Sequence, residues 1–358
     1  MKRIDDFGET TVAPTIVKQS QAQDEPAGNL QLSIVVLCWN DWKVLKDCLE
    51  SIYRCTHSIR FEVIVSDNGS TDDSIDQVRR NFPLVRVIEN NRNLGFAKGN
   101  NVGIQAARGQ YILILNPDTI IHENSLDRWI SFAEQHPKAG GFGLRVLNPD
   151  GSYQVSARPF MSIRGEWIAA LYARPLGLVS DAFRSDTYVG WHGDSEREID
   201  WQSGCCVMFR ADILKSIGGF DEQFFYQCEE VDLCLRVRQA GYQILFTPSA
   251  TITHLGGQSV RKFPIRFEIE KLRNRYRYFY KHFGAAGARD FRRVEIARLR
   301  VRQALYSVLR IVSSDQLLNT RLETYRTVIR WNKLLDPVRF VEQGEEPAVG
   351  VNTVQQAS

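Results

Sequence analysis

Two aspartates follow apolar stretches of the chain that have the character of buried strands. Asp118 closes the run YILILNPD, and Asp67 closes the run FEVIVSD. Pro117 has no N–H group and ends strand pairing, so Asp118 is expected just beyond the carboxyl end of its strand. Ligands of open α/β sheets bind at that edge, where a carboxylate can help to hold a metal-bound diphosphate. An ordinary turn is the alternative for either motif alone, because Pro and Asp also favour turns.

A cluster of acids further along the chain has the chemistry for proton transfer. Glu229, Glu230 and Asp232 fall within four positions at a predicted helix start, close to aromatic residues. A carboxylate in such a place can act as a general base. The alternative is a favourable first helical turn, since the amino end of a helix carries a partial positive charge. His254, which precedes a Gly-Gly pair, is either a loop residue or a metal ligand.

The elements that must position these residues alternate between strands and helices. Continuous apolar runs predict buried strands at residues 32–37, 61–66, 85–88 and 111–115. A helical pattern follows each of the first three strands, and such βα units predict a parallel, doubly wound sheet with helices on both faces. Asp67 and Asp118 then lie at one edge of the sheet, which indicates a site more strongly than either motif does.

The second half of the chain is less regular. A helix is predicted near 124–135, a strand at 141–146, and edge strands at 242–246 and 250–253 that lead to His254. Residues 148–200 lack periodicity, and they fit either an insertion that shapes an acceptor pocket or a surface excursion packed by its own aromatic residues. The aromatic residues and the histidine of that stretch are Trp167, Tyr172, Trp191 and His192.

Both ends of the chain are predicted to be disordered, at residues 1–30 and 336–358, because they are polar and aperiodic. Before the second of these segments, residues 284–335 predict a basic amphipathic helix. Its arginine-rich face fits an anionic membrane surface, whereas its apolar stripe fits packing on the catalytic domain or in a homodimer. The stripe consists of Phe291, Val294, Val301, Leu305, Val308 and Val312.

Composition excludes several classes of protein. The 358 residues are 43% hydrophobic and 24% charged, as in a folded globular protein, and contain no run long and apolar enough for a membrane span or a signal peptide. Seven cysteines without a C-x-x-C pair suit a reducing cytoplasm, and Cys205 and Cys206 are interpreted as core residues. A net charge of +3 gives no indication of nucleic-acid binding, and the Tyr and Arg residues of 273–280 have the spacing of a packed helix.

The chain resembles the inverting family 2 glycosyltransferases, which have the GT-A nucleotide-diphosphosugar transferase fold, and most of all their bacterial rhamnosyltransferase-like branch. The similarity covers about residues 32–283, and its motifs occur in the order that the family has. The matching runs are SIVVLCWN, VIVSDNGSTD, NRNLGFAKGNN, YILILNPD, WQSGCCVMFR, GGFDEQFF, EEVDLCLR and THLGGQS.

This resemblance implies a role for each of several residues. Asp118 and His254 would hold Mg²⁺ or Mn²⁺, although Asn116 stands where the family's metal motif usually has its first Asp. Glu230 matches the catalytic base, usually an Asp, and Glu229 is the alternative. The nucleotide-binding residues would be Val36, Asn40, Asp67, Asn93, Gly95, Lys98 and Asn116, and the acceptor or sugar would meet Trp201, Gly204 and Asp232.

The resemblance also implies an activity. The expected reaction transfers L-rhamnose from dTDP-L-rhamnose to a glycan or a polyprenyl-diphosphate-linked acceptor in bacterial surface polysaccharide synthesis, at the cytoplasmic face of the membrane. The alternatives are a UDP-hexose or another dTDP-deoxysugar as the donor, or a non-catalytic nucleotide-sugar-binding protein. A sugar-1-phosphate nucleotidyltransferase would need a Gly-rich basic loop after the first strand, and CWNDW offers none.

Overall fold

A mixed β-sheet runs through the computed structural model, which describes residues 30–173, 180, 187–225, 227–256, 264–312 and 316–347. From one edge to the other, the strands are β3 (Arg86–Glu89), β2 (Phe61–Asp67), β1 (Leu32–Cys38), β4 (Tyr111–Leu115), β10 (Cys206–Arg210), β6 (Ala139–Leu147), β11 (Gln243–His254) and β5 (Thr119–Ile121). A further strand, β8 (Arg197–Glu198), pairs with β11 beside this path. Apart from residue 30, the predicted leader lies outside the described residues.

The first half of the sheet confirms the predicted parallel βα units. Strands β1, β2 and β4 begin at the predicted residues, and their side chains are almost all buried because helices cover both faces. Cys38 pairs with Asp67 and Val36 with Leu115, so these strands end at one edge of the sheet. The elements are β1 (Leu32–Cys38), α1 (Trp42–Cys55), β2 (Phe61–Asp67), α2 (Ser74–Asn81), β3 (Arg86–Glu89), α3 (Gly95–Ala106) and β4 (Tyr111–Leu115).

The second half mixes strand directions. β10 lies antiparallel between β4 and β6, whereas β11 runs parallel to β6 and antiparallel to β5 and β8. The two predicted edge strands are one strand, and the edge position is wrong because β11 pairs on both sides. The elements are β5 (Thr119–Ile121), α4 (Ser125–Gln135), β6 (Ala139–Leu147), β7 (Ala157–Arg158), α5 (Ile163–Ala170), β8 (Arg197–Glu198), β9 (Trp201–Gln202), β10 (Cys206–Arg210), α6 (Ala211–Ser216), α7 (Glu229–Gln239) and β11 (Gln243–His254).

Three helices follow the sheet: α8 (Pro264–Val312), α9 (Gln316–Leu334) and α10 (Pro337–Gln343). Gly284 has non-helical backbone angles and breaks α8 into two parts. The disorder predicted for the tail is wrong at α10, where Asp336 caps the helix and Phe340 is buried. No described helix is both long and apolar enough to cross a membrane.

The predicted amphipathic stripe divides into a packed part and an exposed part. Phe291 and Val294 are fully buried, while Leu305 and Val308 are 48% and 62% exposed. The aromatic residues of the preceding part of α8 are also core residues, as the helical spacing indicated: Tyr276, Tyr278 and Phe279 are fully buried.

A buried group of charges joins α5 to both parts of α8. The Glu166 carboxylate accepts from the guanidinium groups of Arg275 and Arg298, and Arg298 also pairs with Glu295 at 2.8 Å. All four side chains are at most 10% exposed. Although burial opposes it, the two arginines lower the pKa of Glu166 to about 2, so this carboxylate is ionised at neutral pH.

We expect Glu166→Ala to lower the free energy of unfolding by about 3–5 kcal/mol, because it removes one of the two carboxylates that the buried guanidinium groups of Arg275 and Arg298 share. Urea titration followed by circular dichroism measures the change. Asp290→Ala is the matched control, since Asp290 forms an exposed pair with Arg293 and its loss should change stability by no more than about 0.5 kcal/mol. Equal effects in the two variants would contradict this interpretation of the buried group.

Candidate active site

The loops after β1 and β2 form one wall of a crevice at the carboxyl edge of the sheet. Asp67 is only 2% exposed, and its carboxylate accepts from the main-chain N–H groups of Gly69 and Ser70. Asn40 has a left-handed backbone with φ of 52°, and its Oδ1 accepts from the N–H of Thr71 at 2.6 Å. Asp67 and Asn40, which are both predicted to bind nucleotide, therefore also fix the shape of the loop after β2.

The start of α3 forms the next part of this wall. Asn93 Oδ1 accepts from the N–H of Gly95 at 2.9 Å. Gly95 has φ of +79°, and a Cβ there would lie 2.6 Å from the ring of Phe225, so only glycine suits the position. Lys98 is half exposed and pairs with Glu222 at 3.1 Å. An exposed pair of this kind is weak, which leaves the ammonium group able to exchange Glu222 for a phosphate.

Two further residues predicted to bind nucleotide, Val36 and Asn116, make contacts within the protein itself. The Val36 side chain is fully buried in the core beneath α1, so it cannot reach a ligand in the crevice. Asn116 donates its main-chain N–H to the carbonyl of Cys205 at 2.9 Å, and its own carbonyl accepts from Thr119 Oγ1. These bonds hold the Asn-Pro-Asp turn against the loop before β10.

Asp118 and His254 meet at this turn. His254 pairs with Thr119 across β11 and β5, and the N–H of Leu255 donates to the carbonyl of Asp118 at 2.9 Å. His254 Nε2 consequently lies 3.3 Å from Asp118 Oδ1, with both side chains 16% exposed. The other ring nitrogen, Nδ1, lies 2.8 Å from Gln154 Oε1.

The geometry of this pair fits a divalent cation. Two ligands in neighbouring octahedral positions, each about 2.1 Å from Mg²⁺, are about 3 Å apart. The Asp118–His254 separation of 3.3 Å is close to that value. The described residues contain no group of three or more His, Cys, Asp or Glu side chains arranged for a metal. Further ligands would have to come from substrate phosphates and water, as is usual for Mg²⁺.

The predicted base lies at the start of α7. The preceding Gln227 and Cys228 both have left-handed backbones, with φ of 66° and 72°, an unfavourable conformation for residues other than glycine. Glu229 is 4% exposed, whereas Glu230 is half-buried. Among the described residues, the Oε2 atom of neither glutamate has a hydrogen-bond partner. Strained backbone together with buried carboxylate oxygens that lack a partner is typical of a functional site.

The two glutamates differ in how strongly they hold a proton. Burial raises the pKa of Glu229 well above its usual range, and the Glu230 carboxylate raises it further. Burial also raises the pKa of Glu230, opposed by main-chain N–H groups that include that of Gly204. Because Glu229 is the more buried and its pKa is raised more strongly, Glu230 is the glutamate that loses its proton first as the pH rises. This difference favours Glu230 as the residue that accepts a proton.

The base and the metal pair share a wall of the crevice at Cys205. The pKa of the Cys205 thiol is raised to about 12, mainly by burial and in addition by the nearby charges of Asp118 and Glu230. Both carboxylates are therefore close to one buried side chain, although they lie far apart in sequence. The arrangement can hold a cation on one side and accept a proton on the other.

Asp232 does not face this crevice, and its predicted contact with acceptor or sugar is wrong. Its carboxylate is fully buried and accepts from Arg236 at 2.8 Å, Lys281 at 2.7 Å and His282 at 2.8 Å. Although burial opposes it, these partners lower the pKa of Asp232 to about 2, so it remains charged. The residue fastens α7 to α8 instead.

The other two predicted acceptor residues lie beside the base. A Cβ at Gly204 would be 3.6 Å from Glu230 Cβ and 3.3 Å from the Phe96 ring, so glycine permits close approach of the loop. The Trp201 indole donates to the carbonyl of Pro159 at 2.8 Å, which fixes the ring at the base of the insertion. Their contact with an acceptor stays a prediction.

Sequence reasoning missed two polar residues that organise the site. Asn68 Nδ2 donates to the carbonyl of Gly95 at 3.1 Å, and Asn68 Oδ1 accepts from Asn90 at 3.2 Å, which joins the loop after β2 to α3. Gln154 contacts His254 from the start of the insertion. Asn68 follows directly after Asp67 and could have been suspected, whereas nothing in the local sequence marks Gln154.

The sequence is similar to a known protein family and to two named relatives. The sequence profile described as glycosyl transferase family 2 matches residues 33–218. An N-acetylglucosaminyl-diphospho-decaprenol L-rhamnosyltransferase of Mycobacterium tuberculosis is 31% identical over 247 residues, which cover 65% of this chain and 78% of that protein. Rhamnosyltransferase WbbL of Escherichia coli (strain K12) is 27% identical over 194 residues, covering 51% of this chain and 69% of the relative.

A solved structure has the same fold. Mannosyltransferase PcManGT from Pyrobaculum calidifontis, in complex with GDP-Man and Mn²⁺, superposes with a TM-score of 0.53. The match covers 94% of this chain and 95% of the other, at 14% sequence identity. At that identity the likeness establishes the fold alone.

Proposed function

This chain belongs to glycosyl transferase family 2, in its rhamnosyltransferase-like branch and with the GT-A fold, and on that premise we propose that it transfers L-rhamnose from dTDP-L-rhamnose. The acceptor is a hydroxyl group of a polyprenyl-diphosphate-linked glycan, on the cytoplasmic side of the membrane. The name of the Mycobacterium tuberculosis relative, which specifies both L-rhamnose and a diphospho-decaprenol acceptor, supports this choice. The observation that carries the proposal is the Asp118–His254 pair, together with a Glu230 carboxylate whose Oε2 atom has no hydrogen-bond partner among the described residues.

The proposed reaction is a single displacement. Glu230 takes the proton of the acceptor hydroxyl, whose oxygen forms a bond to the anomeric carbon as the bond from that carbon to the diphosphate breaks. Attack opposite the leaving group inverts the configuration, and no enzyme nucleophile is needed. Asp118 and His254 would hold Mg²⁺ or Mn²⁺, which neutralises the charge that develops on the leaving diphosphate.

The predicted nucleotide-binding residues after β1 and β2 and at the start of α3 would surround the donor. Asn40 and Asp67 border the nucleoside, while Asn93, Gly95 and Lys98 lie at the start of α3, where the positive end of the helix dipole and the Lys98 ammonium group favour phosphate. Lys98 is half exposed and bound only to Glu222 among its described ion pairs, so it is free to turn towards a phosphate. These contacts are part of the proposal.

A donor screen tests the proposed substrate. The purified chain should release nucleotide from dTDP-L-rhamnose in the presence of Mn²⁺ or Mg²⁺ and a lipid-linked acceptor, and much less after chelation of the metal. The same assay is run with UDP-glucose, UDP-N-acetylglucosamine, GDP-mannose and other dTDP-deoxysugars. Turnover of a UDP-sugar without turnover of dTDP-L-rhamnose would overturn the donor assignment, and donor binding without any turnover would leave a nucleotide-sugar-binding protein.

We expect Glu230→Gln to reduce transfer by about 10²- to 10⁴-fold with little change in donor affinity, because a general base acts on the acceptor. Wild-type activity should fall as the pH drops through the raised pKa of Glu230, hence at a pH above the ordinary glutamate value of 4.5. Glu229→Gln is the matched control and should keep most activity, since the raised pKa of Glu229 makes it the less ready of the two glutamates to accept a proton. Loss in the Glu229 variant with retention in the Glu230 variant would make Glu229 the base.

We also propose that the far end of α8 docks on the membrane that carries the acceptor. Leu305, Val308 and Leu309 are 48%, 62% and 48% exposed, on a helix whose Arg300 and Arg310 are also exposed. The Tyr172 hydroxyl lies beside Arg302, so the exposed Leu171 and Tyr172 adjoin this end of α8. Exposed apolar side chains flanked by arginines suit the surface of an anionic bilayer.

Sedimentation with liposomes tests this docking. Full-length protein should pellet with anionic vesicles at low salt and remain in the supernatant with neutral vesicles, because each contacting arginine contributes about 1 kcal/mol. Replacement of Leu305, Val308 and Leu309 by Ser should abolish pelleting, whereas Leu334→Ser, at another exposed position, should not. Wild-type protein that stays in the supernatant, with a dimer that the triple variant dissociates, would make this surface a subunit interface.

A further inference from the structure

A short hairpin at the start of the insertion reaches the metal pair. After β6 the chain turns at residues 148–152, where the N–H of Gly151 donates to the carbonyl of Asn148 at 2.9 Å. The N–H of Gln154 then donates to the carbonyl of Val146 at 2.9 Å, which brings the chain back alongside β6. This 148–154 hairpin places the half-buried Gln154 side chain against His254, at 2.8 Å from Nδ1.

The hydrogen bonds of the hairpin have a defined direction. The Asp150 carboxylate can only accept hydrogen bonds, and its Oδ1 accepts one from the Ser152 hydroxyl group, whose Oγ lies 2.6 Å away. Ser152 Oγ is then an acceptor for Asn148, which presents its Nδ2 at 2.9 Å. Asn148 Oδ1 therefore faces the Nε2 of Gln154, again at 2.9 Å. Each amide orientation follows from the one before it.

The last of these hydrogen bonds determines which ring nitrogen of His254 carries the proton. With its Nε2 donating to Asn148, Gln154 turns its Oε1 towards His254, so Nδ1 of the ring must be the protonated nitrogen. In a neutral imidazole the proton on Nδ1 leaves a lone pair on Nε2. That lone pair faces Asp118 Oδ1 at 3.3 Å. Two acceptors so close repel one another unless a positive charge lies between them.

We propose that Gln154 is a positioning residue for the metal pair: the hydrogen-bond chain from Asp150 through Ser152, Asn148 and Gln154 holds His254 with its Nε2 lone pair directed at the cation. The inference rests on the proposed function, since it requires that Asp118 and His254 bind a metal. It gives the first residues of the insertion a part in donor binding. Partners of this kind raise the basicity of a ligating histidine and fix its orientation.

Two substitutions of similar size distinguish positioning from packing. Gln154→Glu keeps an oxygen that accepts from Nδ1, whereas Gln154→Met keeps the length of the side chain and removes that acceptor. Mn²⁺ affinity is measured by electron paramagnetic resonance of free Mn²⁺, with full-length protein and either dTDP or UDP. We expect Gln154→Met to bind Mn²⁺ about 10- to 100-fold more weakly than wild type, and Gln154→Glu to bind it at least as well.

Two controls separate this inference from the proposed function. Asp118→Ala should lose Mn²⁺ binding, and thermal unfolding of both Gln154 variants should resemble that of wild type. Wild-type protein that binds no Mn²⁺ would overturn the proposed metal site and the inference with it. Wild-type binding that Asp118→Ala abolishes but Gln154→Met leaves unchanged would overturn the inference alone, as would equal weakening by Gln154→Glu and Gln154→Met.

Discussion

The antiparallel pairing of β5 with β11 is the contact on which the candidate metal site depends. It involves only three residue pairs, of which the last sets His254 opposite Thr119. Asp118 precedes β5 directly, so this register brings its carboxylate to the imidazole. A slip by one residue would turn His254 to the other face of the sheet. The adjacent bond from Leu255 N–H to the Asp118 carbonyl, at 2.9 Å, helps to hold the register.

The pattern of apolar residues was sufficient to predict the strands in the first half of the sheet. β1, β2 and β4 are continuous apolar runs buried on both faces, and their carboxyl ends meet because parallel strands share a direction. The pairing of β11 was not predictable in this way, because strand order depends on contacts between distant segments. The sequence predicted two edge strands there, whereas β11 pairs with β6 on one side and with β5 and β8 on the other.

The site residues also divide into those that the sequence pattern predicts and those that depend on tertiary contacts. Asp67, Asp118 and Glu230 lie where strand ends and a helix start place them, and the family motifs mark all three. Asp232 has an equally good place in its motif, yet Arg236 of α7 and Lys281 and His282 of α8 surround it. Gln154 acts through bonds within a hairpin that no periodicity reveals. The position of a reactive side chain at a strand end can be predicted from the sequence pattern. The residues that orient this side chain cannot, because they depend on tertiary contacts.

Buried charges hold the proposed catalytic helix in place. Asp232 bonds α7 to Lys281 and His282 of α8, and Glu166 bonds α5 to Arg275 in the same part of α8. One helix therefore anchors both the element that bears Glu230 and a helix within the insertion. Ionic contacts add little net stability when they are buried, but they do define geometry. A base that must meet an acceptor hydroxyl gains from such rigid support.

The state of the cysteines has a practical consequence. All seven are free and buried, and burial raises the pKa of each thiol, to about 12 for Cys38, Cys48, Cys205 and Cys234. Only thiolates react readily with maleimides or iodoacetamides, so the folded chain should be inert to these reagents. A single cysteine introduced on the surface would therefore carry a fluorophore or spin label without prior removal of the native seven, and a pair of such cysteines would make distances within the active protein measurable.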